Sequence, residues 1–510
     1  MKKFIFLLIA SLVLATTNSL PSRNYTALRQ ELLDYEQRLM IGSHLKLNDV
    51  EEVANKIIMK AKRQELDVDF KNPYLYTPGR NFLLAKNDIQ QSKVFKLLRM
   101  LPKGAALHAH DTAIGSFDYL YHNITFRDNL YICGNGTQMR LQFFRKPDQT
   151  CNWELLKKVR EDPSREAIIN ESIMSRLWMS STDPMKDYSD VNKAWIKFMD
   201  IFRFIHPVLT YRPVFEDYFL DALKHLHKDN VMYLELRSTF PTLYELDGRK
   251  YKPEDLAGIY RNLTERNEEV YSVLRFKKEH PDFFGVKVIY APNRSGDLKT
   301  AEGYIKIMKR LRKLYPDFVI GFDLVGQEDK GHTLQYFADV IKSTDPDVRF
   351  FFHAGETNWL GASTDENLVD AILLNTQRIG HGYALVSHPF LLKMVKELNI
   401  AVEVNPISNQ ILKLVDDLRN HPAKILFAEG YPVVISNDDP GFWGAEGLSH
   451  DFYEAFMALM SAHADLRALK QLAMNSIDYS SMNEDEKKRA FAMWQQKWDS
   501  SMEAVASNEI

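Results

Sequence analysis

The sequence predicts an α/β protein built on a (β/α)8 TIM-type barrel. Three observations carry that expectation. From residue 100 onward, short β-rich apolar runs alternate with amphipathic helical stretches, the pattern of parallel strands joined by crossover helices. There are eight such runs, and eight is the number that closes a barrel. Several of the runs end in polar, metal-competent groups, as expected where strand C-termini converge on one active site. A doubly wound open sheet is the alternative, but no Gly-rich phosphate turn follows the first strand candidate.

The chain of 510 residues has room for a large single domain with additions, or for two to three domains. Its hydrophobic content of 45% and charged content of 26% are those of an ordinary globular protein. A net charge of −3 argues against a general nucleic-acid binder, which needs a strong basic excess.

At the N-terminus, Lys2 and Lys3 precede "FIFLLIASLVLA" and the small, polar "TTNS". This reads as a secretory signal peptide over residues 1–19 and places the mature protein outside the cell. As an anchor the run is too short to span a bilayer comfortably, and no later segment has the uncharged length of a membrane span. The two cysteines agree with export. Cys133 and Cys151 are close enough to close a short loop, and in an oxidising compartment they are expected to pair, worth roughly 3 kcal/mol. Asn-x-Ser/Thr acceptors at Asn24, Asn123, Asn135, Asn170, Asn262 and Asn293 are expected to make the protein a glycoprotein.

Residues 20–100 are expected to be helical. "YTALRQELLDYEQRLM" and "DVEEVANKIIMKAKRQELD" place apolar residues at helical spacing among charges. Asn48 or Asp49 is positioned to cap the second, with Glu51 and Glu52 in its first turn. These helices form either a layer on the main domain or a dimerisation arm.

Residues 101–510 are the expected barrel. The strand candidates are "GAALHAH", "VMYLELRST", "GVKVIYAP", "FVIGFDLVG", "VRFFFHAGE", "QRIGHG", "IAVEVNPIS" and "YPVVISNDDP", with "SGDLKTAEGYIKIMKRLRKLY" and "TLQYFADVIKS" among the helices between them. More than a hundred residues separate the first two, so an inserted subdomain is expected over about 120–185, carrying both cysteines and three acceptors. Its basic segment "MRLQFFRKPDQTCNWELLKKVRED" is a solvated face or a docking patch for an acidic partner.

The chemistry sits at the strand ends. The first strand closes on His108 and His110, which alternation projects to one side. "FFFHAGE" ends in His353 and Glu356, "RIGHG" in His381, and "VVISNDDP" in Asp438 and Asp439. Three imidazoles and a carboxylate, from His108, His110, His353 and Asp438, suit a catalytic Zn²⁺ with a position left for water. Imidazole matches Mg²⁺ and Ca²⁺ poorly. Glu356, three residues past His353 across a glycine, is placed to shuttle a proton. His381 and Asp439 are placed to orient or deprotonate the attacking water.

The ordered series "LPKGAALHAHD", "GFDLVGQED", "FFHAGET", "RIGHG" and "SNDDP" resembles the metal-dependent adenosine deaminases, most closely the secreted adenosine deaminase-related growth factors. The resemblance extends through "NPISNQILKLVDDLRNHP" and "LKQLAMNSIDYS". It implies one zinc per subunit on the four residues named, the proton shuttle at Glu356, and water-orienting groups at His381 and Asp439. It also implies a purine contact from the backbone N–H of Gly326, with ribose contacts at Asp111 and Trp195. Asn437, where relatives carry Ser or Thr, is expected behind the metal ligands. The implied reaction is hydrolytic deamination of adenosine, and of 2′-deoxyadenosine, to the inosine product and ammonia. A dimerising arm and an insertion facing a receptor or glycosaminoglycan are implied as well. A signalling glycoprotein with a secondary deaminase site is the competing expectation from another class. An AMP deaminase is disfavoured by Asp111, whose charge opposes a phosphate. The other zinc-deaminase design, with H-x-E and P-C-x-x-C ligands, does not fit the two cysteines.

Overall fold

The computed structural model describes residues 25–264 and 276–507. The expected signal peptide over 1–19 and the acceptor Asn24 lie outside them. Eight parallel strands form the centre: β1 Gly104–His110, β2 Val231–Ser238, β3 Gly285–Tyr290, β4 Val319–Phe322, β5 in two segments (Arg349–Phe350 and His353–Ala354), β6 Arg378–His381, β7 Ala401–Val404 and β8 Val433–Ile435. Parallel ladders run in order from β1 to β5 and from β5 to β8. Across the interruption in β5, Gln377 N–H donates to Phe350 O at 2.7 Å and Gly380 N–H to Phe352 O at 2.8 Å. The last strand returns to the first through a parallel bridge between Ala109 and Asp438. There His110 N–H donates to Asp438 O, and Asp438 N–H to His108 O, each at 3.1 Å. The sheet therefore closes on itself, and it closes at the residues expected to carry the chemistry.

The strands read as near-continuous apolar runs because helices cover the outer face and side chains fill the inner one. Their exceptions are charged. Glu235, Arg237, Arg378 and Glu403 are fully buried, and they pair with one another inside the barrel.

Helices before β1 pack on the barrel. Of the two capping residues open at the sequence level, Asn48 is the cap of helix Asp49–Lys71. Its side chain accepts from Glu51 N–H, and the Glu51 carboxylate accepts from Asn48 N–H, both at 2.9 Å. The apolar face of this helix, including Ala54, Ile58 and Met59, is buried, as are Trp494, Trp498 and Met502 of the C-terminal helix Glu484–Ala506 packed against it. Helix Tyr25–Leu39 buries none of its residues.

Between β1 and β2 the chain forms a three-stranded antiparallel sheet of Leu130–Cys133, Arg140–Phe143 and Glu154–Leu155, closed by the Cys133–Cys151 disulfide. It then returns through helices Pro163–Leu177, Val191–Leu209 and Arg212–Lys228. Helix Val191–Leu209 brings Trp195, Phe198, Phe202 and His206 to the barrel mouth. Among the described residues no helix is long and apolar enough to cross a membrane.

Candidate active site

Four strand ends build the site. β1 delivers His108, fully buried, and His110, which reaches the cavity. At the end of β5, Gly355 takes φ +74° and turns the chain, so that Glu356 faces the same space as His353. The turn is held by Glu328, whose carboxylate accepts from the N–H groups of Gly355 at 3.0 Å and Glu356 at 2.7 Å. On β6, a side chain at Gly380 would sit 3.2 Å from His108 Cε1, so the missing Cβ makes room for the imidazole. His381 and Asp438 both adopt left-handed backbone, at φ 61° and 57°. That conformation costs a non-glycine residue of order 1 kcal/mol or more, and it clusters where function over-determines geometry.

The side chains converge. The ring centroids of His108 and His353 lie 4.5 Å apart, those of His108 and His110 5.3 Å, and those of His110 and His353 5.4 Å. Asp438 Oδ1 is 3.2 Å from His108 Nε2 and 3.0 Å from His110 Nε2. His381 joins them, with Nε2 3.7 Å from Asp438 Oδ2 and Nδ1 3.7 Å from Glu356 Oε1. Potential ligand atoms of His108, His353, His381 and Asp438 all lie within 4.8 Å of one another, as do those of His110, Asp438 and Asp439.

Buried carboxylates orient two of these rings. His108 Nδ1 lies 2.6 Å from Glu403 Oε2, and His353 Nδ1 lies 2.6 Å from Asp323 Oδ2. Arg237 donates to both carboxylates, at 2.8 Å each, and Arg378 Nε donates to the other oxygen of Glu403 at 2.6 Å. Burial opposes charge on Glu403 and Asp323. It is outweighed by Arg237 and Arg378 at Glu403, and by His353 and Arg237 at Asp323, so both stay below the carboxylate range. With anions at Nδ1, His108 and His353 carry the proton there and turn an Nε2 lone pair inward. His108 Nε2 and Asp438 Oδ1 are buried with no hydrogen-bond partner, as is Asp439 Oδ1. The lone pair and the carboxylate oxygen 3.2 Å from it are a donor set of the kind that fits a metal cation.

The remaining carboxyls differ. Burial opposes charge on Asp438 too, but the imidazoles of His108, His110 and His381 beside it hold it well below the carboxylate range. Burial, then the charge of Asp438, pushes Asp439 and Glu356 well above it. The three carboxyls are thus pushed in opposite directions, the separation that an acid and base pair requires.

A cavity of about 210 Å³ opens over the group. It is lined by His110, Asp111, Trp195, Gly326, His353, Glu356, His381, Asp438 and Asp439, and His108 lies beneath it. All ten sequence candidates therefore fall at one place. Asp111 Oδ2 accepts from the Tyr260 hydroxyl at 2.7 Å. Asn437 does not face the cavity; its amide nitrogen donates to Gly447 O at 2.9 Å. Sequence reasoning missed His206, Asn293 and the apolar wall of Phe198, Met199 and Phe202. It also missed the orienting residues Arg237, Asp323, Glu328 and Glu403. The signal for the last group was a charge standing inside or just after an apolar strand.

Residues 174–493 match the family model described as adenosine deaminase, and residues 4–98 the model of the adenosine/AMP deaminase N-terminal region. The chain is 45% identical to an adenosine deaminase of Phlebotomus duboscqi, over 96% of this chain and 94% of the relative. It is 40% identical to adenosine deaminase 2 of Homo sapiens, over 94% and 93%. Among solved structures, the N6-methyl-AMP deaminase of Arabidopsis thaliana superposes with a TM-score of 0.52 at 16% identity, covering 79% of this chain and 98% of the other. An adenine deaminase of Arthrobacter aurescens gives 0.53 at 17%, covering 78% and 98%. The chain belongs to the adenosine deaminase family, in the adenosine deaminase 2 and growth-factor branch.

Proposed function

We propose that this protein is an extracellular, zinc-dependent deaminase that hydrolyses adenosine, and 2′-deoxyadenosine, to the inosine product and ammonia. The observation that carries the proposal is the meeting of His108, His110, His353 and Asp438 under a cavity walled by Glu356, His381 and Asp439. Those first four residues would hold one zinc per subunit, which makes water acidic enough to attack near neutral pH, with a pKa of ~7.

The chain's own groups do the rest. Glu356, held protonated by burial and its carboxylate neighbours, delivers a proton to purine N1. His381 and Asp439 hold the attacking water on one face of the ring, and Asp439 shares its proton with N7. The backbone N–H of Gly326 meets the purine edge. Asp111, steadied by Tyr260, and Trp195 take the ribose. A buried carboxyl at that position opposes a 5′-phosphate and favours the nucleoside over AMP.

The test is conversion of adenosine to inosine by the secreted protein, before and after chelation, together with Glu356→Gln. Loss of about 10²–10⁴ in turnover with substrate binding kept supports the shuttle. Robust turnover by the Gln variant refutes it.

Export is supported by the N-terminal run and the disulfide. Asn123, Asn135 and Asn262 are exposed and are the glycan acceptors we favour. Asn293 lines the cavity, and its side-chain oxygen accepts from Ser295 N–H, so a glycan there would obstruct the site. Helix Tyr25–Leu39, with Tyr25 and Leu32 exposed, is the proposed homodimer arm. The insertion, with its own sheet and disulfide, favours an added growth-factor role through a receptor or glycosaminoglycan. Equal stimulation of cells by wild type and Glu356→Gln would separate that role from catalysis.

A further inference from the structure

A buried chain of side chains leads from His381 away from the cavity. His381 Nδ1 lies 3.1 Å from the amide nitrogen of Asn409, and Asn409 Oδ1 lies 2.9 Å from His421 Nε2. His421 Nδ1 is 3.1 Å from the backbone nitrogen of Ala423. All three side chains are buried, and the Tyr383 ring stands edge-on to His421 at 5.2 Å. Neither Asn409 nor His421 lines the cavity.

Donor and acceptor roles follow from the one unambiguous member. A backbone N–H only donates, so His421 Nδ1 carries a lone pair, and in the neutral ring Nε2 carries the proton. Burial pushes His421 down to about 3, so the ring is neutral at neutral pH. Its Nε2–H needs an acceptor, which turns the Asn409 oxygen toward His421 and the NH₂ toward His381. His381 Nδ1 therefore accepts, and its proton sits on Nε2, facing Asp438 Oδ2 at 3.7 Å. Asn405 Nδ2, 3.4 Å from the same Nδ1, is a second donor. His108 and His353 have the opposite arrangement, with carboxylates at Nδ1. The cluster of imidazoles is thus divided by tautomer: two turn lone pairs inward, and His381 turns a proton inward.

We infer that Asn409 and His421 are positioning residues that hold His381 in its Nε2–H tautomer, so that it donates to the attacking water and does not compete for the metal. The inference rests on the proposed role of His381 in orienting that water. Without the relay, the Nε2 lone pair of His381 is free to turn toward the point where the other imidazoles converge.

Three variants of the metal-loaded enzyme test it. Gln at 421 keeps a donor toward Asn409, Phe at 421 removes it, and Asp at 409 offers His381 Nδ1 an acceptor. His421→Gln is expected to stay within about threefold of wild-type kcat, and His421→Phe to lose about tenfold or more with KM little changed. Asn409→Asp is expected to lose about 100-fold in kcat. In its cobalt-loaded form the visible spectrum should shift and chelators should strip the metal more slowly, as an added imidazole ligand requires. Equal kcat for the Gln and Phe variants, or a wild-type kcat and cobalt spectrum for Asn409→Asp, would overturn the relay. If Asn409→Asp does not unfold cooperatively, the Gln and Phe pair decides. A wild-type protein that leaves adenosine untouched would sink the proposed function instead, whereas active wild type with equal variants sinks the relay alone.

Discussion

Replacing Glu403 by Gln is the sharpest probe of how the barrel interior supports the site. Glu403 Oε2 accepts from His108 Nδ1 at 2.6 Å and from Arg237 at 2.8 Å, and Oε1 accepts from Arg378 at 2.6 Å. The carboxylate thus serves three donors with no exposure to water. Gln has one acceptor oxygen. If that oxygen keeps His108 and Arg237, the new NH₂ faces Arg378 Nε–H, donor against donor. Breaking a buried pair in this way costs about 3–5 kcal/mol. At an unfolding entropy of about 2.1 cal/mol/K per residue, the chain loses about 1 kcal/mol per degree, so Tm should fall by about 3–5 °C. His108 also loses the anion that holds its proton on Nδ1, which should weaken metal binding by about 10–100-fold. Calorimetry and metal titration of Glu403→Gln would measure both. A variant with wild-type Tm and wild-type metal affinity would show that the carboxylate neither pays for the two arginines nor orients His108.

Lys62 predicts a pH dependence of stability. Its ammonium is buried, donates to Ser461 O and Ala464 O at 3.0 Å each, and is pushed by burial down to about 7. The unfolded chain keeps that proton to about 10.4, so between pH 7 and 10 the unfolded state binds more protons and stability rises with pH. The slope is up to ~1.4 kcal/mol per pH unit, and the Tm of wild type relative to Lys62→Met should climb about 1 °C per unit. A flat difference would mean that Lys62 is not titrating there. Opening the Cys133–Cys151 disulfide with serines should destabilise the insertion by about 3 kcal/mol. Proteolysis between these positions should speed up while metal content is unchanged; equal cleavage rates would contradict this. Asp111→Asn should raise KM for adenosine about 2–10-fold, the cost of one lost hydrogen bond, with a smaller effect on kcat. An unchanged KM would remove Asp111 from the ribose site.

What was legible in the sequence, and what was not, follows from where the physics is local. Strand ends were legible because an apolar run that stops at His, His-x-x-Glu or Asp-Asp has no packing reason to stop there, and His108, His110, His353, Glu356, His381, Asp438 and Asp439 do meet at one place. The cap was half legible. Asn48 and Asp49 both suit the position, and only the reciprocal bonds with Glu51 choose between them. The orienting residues were hidden because their partners lie across the barrel. Arg237 on β2 reaches Asp323 beyond β4 and Glu403 on β7, separations of 86 and 166 residues. Yet a trace was present. "VMYLELRS" and "IAVEV" each place charges inside a strand otherwise fit for full burial, and an unpaired buried charge would cost several kcal/mol. Such a charge implies a partner of opposite sign within the same interior. In the structure Arg237 and Arg378 pair with Glu235, Asp323 and Glu403, one negative charge in excess within that network, whereas Lys287 of β3 pairs with Glu486 of the C-terminal helix. That surplus is what a cluster of neutral imidazoles around a cation can use, because the anions at Nδ1 of His108 and His353 are what turn their lone pairs inward.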